Sequence, residues 1–203
     1  MIPSNAASSP DPTVQPVPAS VVQQVDAADS TLHNPQRAVL SLGSNLGNRL
    51  DTLQGALDAL ADTPGLRVKA VSPVYETEPW GVDPGSQPTY FNAVVIIKTT
   101  LPPASLWERA QAIEEAFERV RDSRWGPRTL DVDIVAYQGV VSDDPALTLP
   151  HPRAHERAFV LVPWHDVEPD AEVPGRGAVA DLLPALGDQG VSLRTDAALV
   201  LPD

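Results

Sequence analysis

Apolar positions recur along the chain with two periods, and the switches between them mark its elements. Residues 38–42 (Ala-Val-Leu-Ser-Leu) form a short apolar run of strand length, and 43–48 read as a turn after it. Leu50, Leu53, Leu57 and Leu60 return at helical spacing and predict an amphipathic helix to about Ala61, stopped by Pro64-Gly65. Residues 66–75 read as a strand with Val68, Ala70 and Val74 turned inward. Residues 76–89 hold three prolines and three acids and predict a long loop, a type that is often functional. Tyr90–Thr99, with Val94-Val95-Ile96-Ile97 at its centre, is the strongest strand pattern. Pro102-Pro103 then opens a helix whose buried stripe is Leu106, Ala110, Ile113, Phe117 and Val120. A final strong strand is predicted over 129–137.

The order β-α-β-β-α-β predicts an α+β fold with a ferredoxin-like core, two helices lying on one face of an antiparallel sheet. Further C-terminal elements follow: a hairpin return at Gly139-Val140-Val141, short helices over 155–162 and 179–186, and a loop at Pro174-Gly175-Arg176-Gly177 between them. Residues 1–36 carry no Lys or Arg, several prolines and no periodic apolar pattern. They are expected to form a disordered tail before a single domain spanning 37–203.

Composition narrows the class. There is no cysteine, which removes disulfides and thiolate metal sites. No apolar run approaches the ~20 residues of a membrane span, and the N-terminus lacks a basic stretch followed by an apolar core, so a cytoplasmic chain is expected. A monomer is the further expectation. The net charge of −13 argues against nucleic acid as a partner. It leaves an anionic ligand possible, because Arg119, Arg121, Arg124 and Arg128 crowd into ten positions. Such a run reads either as a solvated helix end or as a phosphate site.

The segment after that run favours the second reading. Asp131 and Asp133 stand two apart in a strand pattern, so their side chains share a face with Cα atoms roughly 6.5 Å apart. Two carboxylates on a half-buried face are costly unless compensated, and a hard divalent cation such as Mg²⁺ compensates them. The strand is expected to pair inside the sheet. Gly126-Pro127 stiffens the turn before it and leaves the direction of Arg128 open. Trp125 reads either as a hinge anchor or as a core contact. Tyr90 and Asn92 also share a strand face, a ring and an amide suited to a flat heterocycle. His151 and Arg157 are compatible with phosphate, and Phe159 offers a second aromatic plate, although spacing alone leaves ordinary structural roles open. The turn at 43–48 lacks the Gly-x-x-x-x-Gly-Lys-Ser/Thr pattern of a P-loop.

Taken together, Leu42-Gly43-Ser44-Asn45-Leu46-Gly47, Tyr75-Glu76-Thr77-Glu78-Pro79, Gln87-Pro88-Thr89-Tyr90-Phe91-Asn92, the run from Arg124 to Val135, and Pro150-His151 with Arg157-Ala158-Phe159 resemble the 6-hydroxymethyl-7,8-dihydropterin pyrophosphokinases of folate biosynthesis. The resemblance implies transfer of the β,γ-diphosphate of ATP to the pterin hydroxymethyl group with release of AMP, assisted by two Mg²⁺ ions on Asp131 and Asp133. It implies catalytic roles for Arg119 and Arg128. An ATP site would include Gln111, Glu114, Arg121, Trp125, Arg128, Ile134, His151 and Arg157. A pterin site would include Thr77, Tyr90, Asn92 and Phe159, with Trp80 standing where an aliphatic residue is common. Asp122-Ser123 stands where well-known members carry a lysine, which leaves the roles within 119–124 open. The rival readings are another two-metal phosphotransferase or nuclease, and a nucleotide-binding module without catalysis.

Overall fold

The structure, a computed structural model, describes residues 33–79, 83, 85, 87–117 and 129–202. The chain opens with β1 (Gln36–Ser44) and α1 (Arg49–Ala61), followed by β2 (Leu66–Val71), β3 (Tyr75–Thr77) and β4 (Tyr90–Thr99). Next come α2 (Pro103–Ala116) and β5 (Asp131–Tyr137). A single 3-10 turn at Ala154–Glu156 leads into α3 (Ala158–Val167), and the chain ends with β6 (Glu172–Val173), β7 (Gly177–Ala178), α4 (Val179–Leu186) and β8 (Ser192–Leu193). The class is mixed α and β. Six strands form an antiparallel sheet in the order β5-β1-β4-β3-β8, with β2 also paired to β4, while β6 and β7 make a separate hairpin.

Alternation divides the sheet between two cores. Ala38, Leu40 and Leu42 of β1, Val95 and Ile97 of β4, and Val132 and Ile134 of β5 pack with α1 and α2 through Leu53, Leu57, Leu60, Leu106 and Ile113. The intervening residues Val39, Val94, Ile96 and Val135 face the other way, against Val160, Leu161 and Trp164 of α3. Tyr75 and Arg37 extend that second layer by polar contacts, Tyr75 donating to the Asp166 carboxylate and Arg37 to Glu168. Trp164, fully buried, donates its Nε1–H to the same Glu168 at 2.9 Å.

Four local readings change. The strand β1 continues through Gly43 and Ser44 instead of turning there, because Gly43 pairs with Asn92 on one side and Asp131 on the other. The 66–75 strand is broken into β2 and β3. Ser72 leaves the ladder pattern, accepting the Val94 N–H on its hydroxyl, and Pro73 follows it. The strand β3 takes in Glu76 and Thr77, which the proline and acid content assigns to the loop. Finally, among the described residues β5 pairs only with β1 and forms the edge of the sheet, not an interior strand. Its outer side is met from α2, where the buried Glu114 carboxylate accepts the Val132 N–H at 2.8 Å.

Candidate active site

One row across the sheet assembles the site. Asp131 of β5 lies opposite Gly43 of β1, Gly43 opposite Asn92 of β4, and Asn92 opposite Tyr75 of β3. Residues opposite one another in a ladder point to the same face. Asp133 and Ser41 form the neighbouring row, and Tyr90 with Thr77 flanks Asn92 on the other side. Gly43 is the floor of the cluster. A Cβ at that position would stand 3.2 Å from Asn92 Oδ1, 3.7 Å from Tyr90 Cδ1 and 3.9 Å from Asp131 Cβ. Asn92 and Thr77 are both buried, and the Asn92 Nδ2 amide donates to Thr77 Oγ1 at 2.8 Å, which fixes the orientation of the Asn92 carbonyl.

A second wall comes from the segment before α3. The His151 N–H donates to the Val135 carbonyl at 2.8 Å, tying this loop to β5. His151 Nδ1 accepts the Arg153 N–H at 3.2 Å, so the neutral ring carries its proton on Nε2. Burial, and then the neighbouring Arg157 and Arg153 charges, push the imidazole down to about 4, against the pull of Asp131. Arg157 reaches Asp133, Nη1 to Oδ2 at 3.6 Å, and its guanidinium lies over the Phe159 ring at 5.5 Å.

The His151 environment gives a testable pH dependence. A histidine whose folded value lies below its ordinary 6.5 binds fewer protons folded than unfolded, so stability falls as pH drops from about 6.5 through about 4. Urea unfolding of the metal-free protein should show that fall, and His151→Gln should flatten it. An unchanged pH slope in the variant would mean that other groups carry the dependence.

The β3–β4 wall is braced from the opposite face. Arg49, at the start of α1, donates to Glu76 Oε1 at 3.0 Å and to the Thr89 carbonyl at 2.8 Å, with its guanidinium 3.8 Å above Phe91. Arg194 lies over the same ring at 5.1 Å and also binds Glu76. The Thr89 hydroxyl, then Arg194 and Arg49, hold the Glu76 carboxyl below its usual range against the opposing effect of burial. This network fixes Thr89 immediately before Tyr90.

The structure therefore gathers Asp131, Asp133, Tyr90, Asn92, Thr77, His151, Arg157 and Phe159 around one face of the sheet end. Ile134 is not among them, since its side chain is buried on the α1–α2 side. Glu114 is 3% exposed and serves β5 through Val132, while Gln111 stands one turn earlier on α2. Trp80, Arg119, Arg121, Arg124, Trp125 and Arg128 lie outside the described residues. Sequence reasoning missed Gly43 as the floor and Glu114 as the anchor of β5. Apolar pattern gave no signal for the first, because Gly43 directly follows the 38–42 run and is followed by Ser44 and Asn45.

Among the described residues no group of three or more His, Cys, Asp or Glu side chains could hold a metal. Two half-buried carboxylates on one strand face nonetheless fit Mg²⁺, which is held by one or two carboxylates while substrate phosphates and water complete its shell. No helix among the described residues is long and apolar enough to cross a membrane.

Residues 39–169 match the family described as 7,8-dihydro-6-hydroxymethylpterin-pyrophosphokinase. The chain belongs to this family. The pyrophosphokinase is 47% identical over 152 residues to the Methylorubrum extorquens protein named 2-amino-4-hydroxy-6-hydroxymethyldihydropteridine pyrophosphokinase, covering 73% of this chain and 95% of that one. A Mycobacterium leprae protein of the same name is 50% identical over 160 residues, covering 72% and 81% of the two chains. Among solved structures, Plasmodium falciparum HPPK-DHPS, wild type with pteroate, superposes with a TM-score of 0.61 at 15% identity. That likeness is one of fold. It covers 77% of the pyrophosphokinase, which spans 45% of the solved chain.

Proposed function

We propose that this pyrophosphokinase transfers the β,γ-diphosphate of ATP to the hydroxymethyl oxygen of 6-hydroxymethyl-7,8-dihydropterin, releasing AMP, as a step of folate biosynthesis in the cytoplasm. The observation that carries the reading is the convergence over Gly43, where a heterocycle-reading amide, an aromatic ring and the first acid of the pair meet around one point. A pterin seated there would direct its hydroxymethyl arm toward the strand that carries both carboxylates.

Asn92 and Thr77 would read the polar edge of the pterin, with Tyr90 and Phe159 as its aromatic plates. Arg157 and His151 would meet the phosphates. The two differ in kind, since Arg157 brings a charge, whereas His151, held neutral, donates through Nε2 without adding repulsion to the cation beside it. With Nδ1 accepting from Arg153 and Nε2 protonated, His151 has no lone pair available to act as a base. This agrees with a largely dissociative phosphoryl transfer, in which positioning and charge stabilisation dominate.

Asp131 and Asp133 would hold the metal, as two Mg²⁺ ions shared with the ATP phosphates. Bound there, Mg²⁺ supplies neutralisation of the charge that develops as the α–β bridge breaks. Gln111 is assigned to the nucleotide on the family resemblance, while Glu114 would contribute by fixing the start of β5. Arg119, Arg121, Arg128 and Trp125 are assigned to the ATP side and Trp80 to the pterin side on the family motif alone. The strand order of the sheet supports a ferredoxin-like reading of the core, within a domain spanning 37–203 that acts as a monomer.

The test is AMP release. ATP, Mg²⁺ and the reduced pterin together should yield AMP and pterin diphosphate in equal amounts, and omission of any one should give none. Formation of ADP, or AMP that appears without the pterin, would refute the assignment.

A further inference from the structure

Two peptide groups flank Arg157, and one side chain holds both. Gln189 Oε1 accepts the Ala158 N–H at 3.0 Å, and Gln189 Nε2 donates to the Glu156 carbonyl at 3.1 Å. The residue between those contacts is Arg157, extended at φ −115° and ψ 105°. As the N-cap residue of α3 it makes no side-chain capping bond, so Gln189, from far along the chain, does part of that work. Only a side chain with one acceptor and one donor can take both contacts, which a primary amide supplies and a carboxylate does not.

Gln189 itself is held at both ends. Gly187 and Gly190 adopt positive φ, 63° and 68°, and the Gly190 N–H donates to Asp188 Oδ1 at 2.8 Å. Immediately after, β8 pairs with β3, placing Ser192 opposite Glu76 and Leu193 opposite Tyr75, and the Arg194 N–H donates to the Val74 carbonyl at 2.9 Å. Arg194 then reaches Glu76 and Phe91. The stretch 187–194 therefore touches both walls of the site, the α3 start with Arg157 and Phe159 and the β3–β4 edge with Thr77 and Tyr90. It lies outside the 39–169 family match.

We propose that Gln189 is a positioning residue for Arg157, and that 187–194 is a strap that sets the Arg157 guanidinium relative to the β3–β4 wall. The inference rests on the reading of Arg157 as a phosphate contact. Without Gln189 the peptides on either side of Arg157 lose their anchors, and the guanidinium departs from its place beside Asp133.

The experiment compares AMP release by the full-length protein and its Gln189→Ala, Arg157→Ala and doubly substituted forms, with ATP and pterin varied separately. Gln189→Ala should lower kcat/KM for ATP by about tenfold, the order expected of a displaced binding group, and change the KM for pterin far less. In the Arg157→Ala background the same substitution should have almost no further effect, because the residue through which it acts is gone. A merely structural role predicts the same loss in both backgrounds, which would overturn the proposal, as would an unimpaired Gln189→Ala enzyme beside an impaired Arg157→Ala one. Arg157→Ala with unchanged AMP release would overturn the phosphate role and the proposal with it. Should Gln189→Ala fail to fold, Gln189→Glu keeps the contact to Ala158 and loses the one to Glu156. An intermediate loss in kcat/KM for ATP supports the strap, and a wild-type value overturns it.

Discussion

Asp131→Asn and Asp133→Asn are each expected to reduce AMP release by about a thousandfold at millimolar Mg²⁺, equivalent to ~4 kcal/mol of lost transition-state stabilisation. Asparagine keeps the shape and removes the charge, so the ladder between β5 and β1 should persist and unfolding should change little. The two variants should nevertheless differ. Asp133 carries the contact to Arg157 at 3.6 Å, whereas Asp131 sits beside the Gly43 floor. Asp133→Asn should therefore loosen the hold on Arg157 and raise the affinity for ATP in the absence of metal more than Asp131→Asn does, since Asp133 is the first of the carboxylates acting on that guanidinium. Steady-state AMP release gives the first quantity and nucleotide binding without Mg²⁺ the second. Near-normal turnover by either variant at millimolar Mg²⁺ would sink the metal assignment.

The second large effect is expected at a residue with no side chain. Gly43 has an ordinary strand conformation, not a left-handed one, so alanine or valine there meets no backbone penalty and any loss comes from contact. The new Cβ would press on Asn92 Oδ1 at 3.2 Å, and Asn92 is buried and bound to Thr77, so it has little room to yield. Gly43→Ala should raise the KM for pterin by about tenfold, and Gly43→Val, whose extra methyl groups also meet Tyr90 and Asp131, should cost about a hundredfold or more in kcat/KM. ATP binding should be much less affected. Equal losses for both substrates would show that the substitution had disturbed the sheet as a whole.

Strand and helix periods made much of this arrangement legible beforehand. The bounds of Tyr90–Thr99 and Val179–Leu186, and the stripe of Leu106, Ala110 and Ile113, follow from apolar spacing because each element packs one clear face. The pairing of Tyr90 with Asn92, and of Asp131 with Asp133, on common faces follows from alternation alone. Alternation is silent on which strand neighbours which. Hence the pattern puts β5 inside the sheet although it is the edge among the described strands, and Gly43 in a turn although its partners on two strands make it the floor. Glu114 resembles any helix-surface acid until β5 is docked beside it. Gln189 and Arg194 occupy a polar stretch with no period, and their partners lie 31 and 118 positions away, a range that local pattern does not reach.

The length of α3 has a consequence for the sheet face it covers. Ten residues of helix span ~15 Å, whereas the ten residues of β4 span ~33 Å. A helix of that length can roof at most about half of the strand it lies on. The apolar residues Val94 and Ile96 take the roofed half, and Tyr90 and Asn92 fall beyond it. The uncovered end of that face, where the pterin is proposed to bind, thus follows from a mismatch of two lengths.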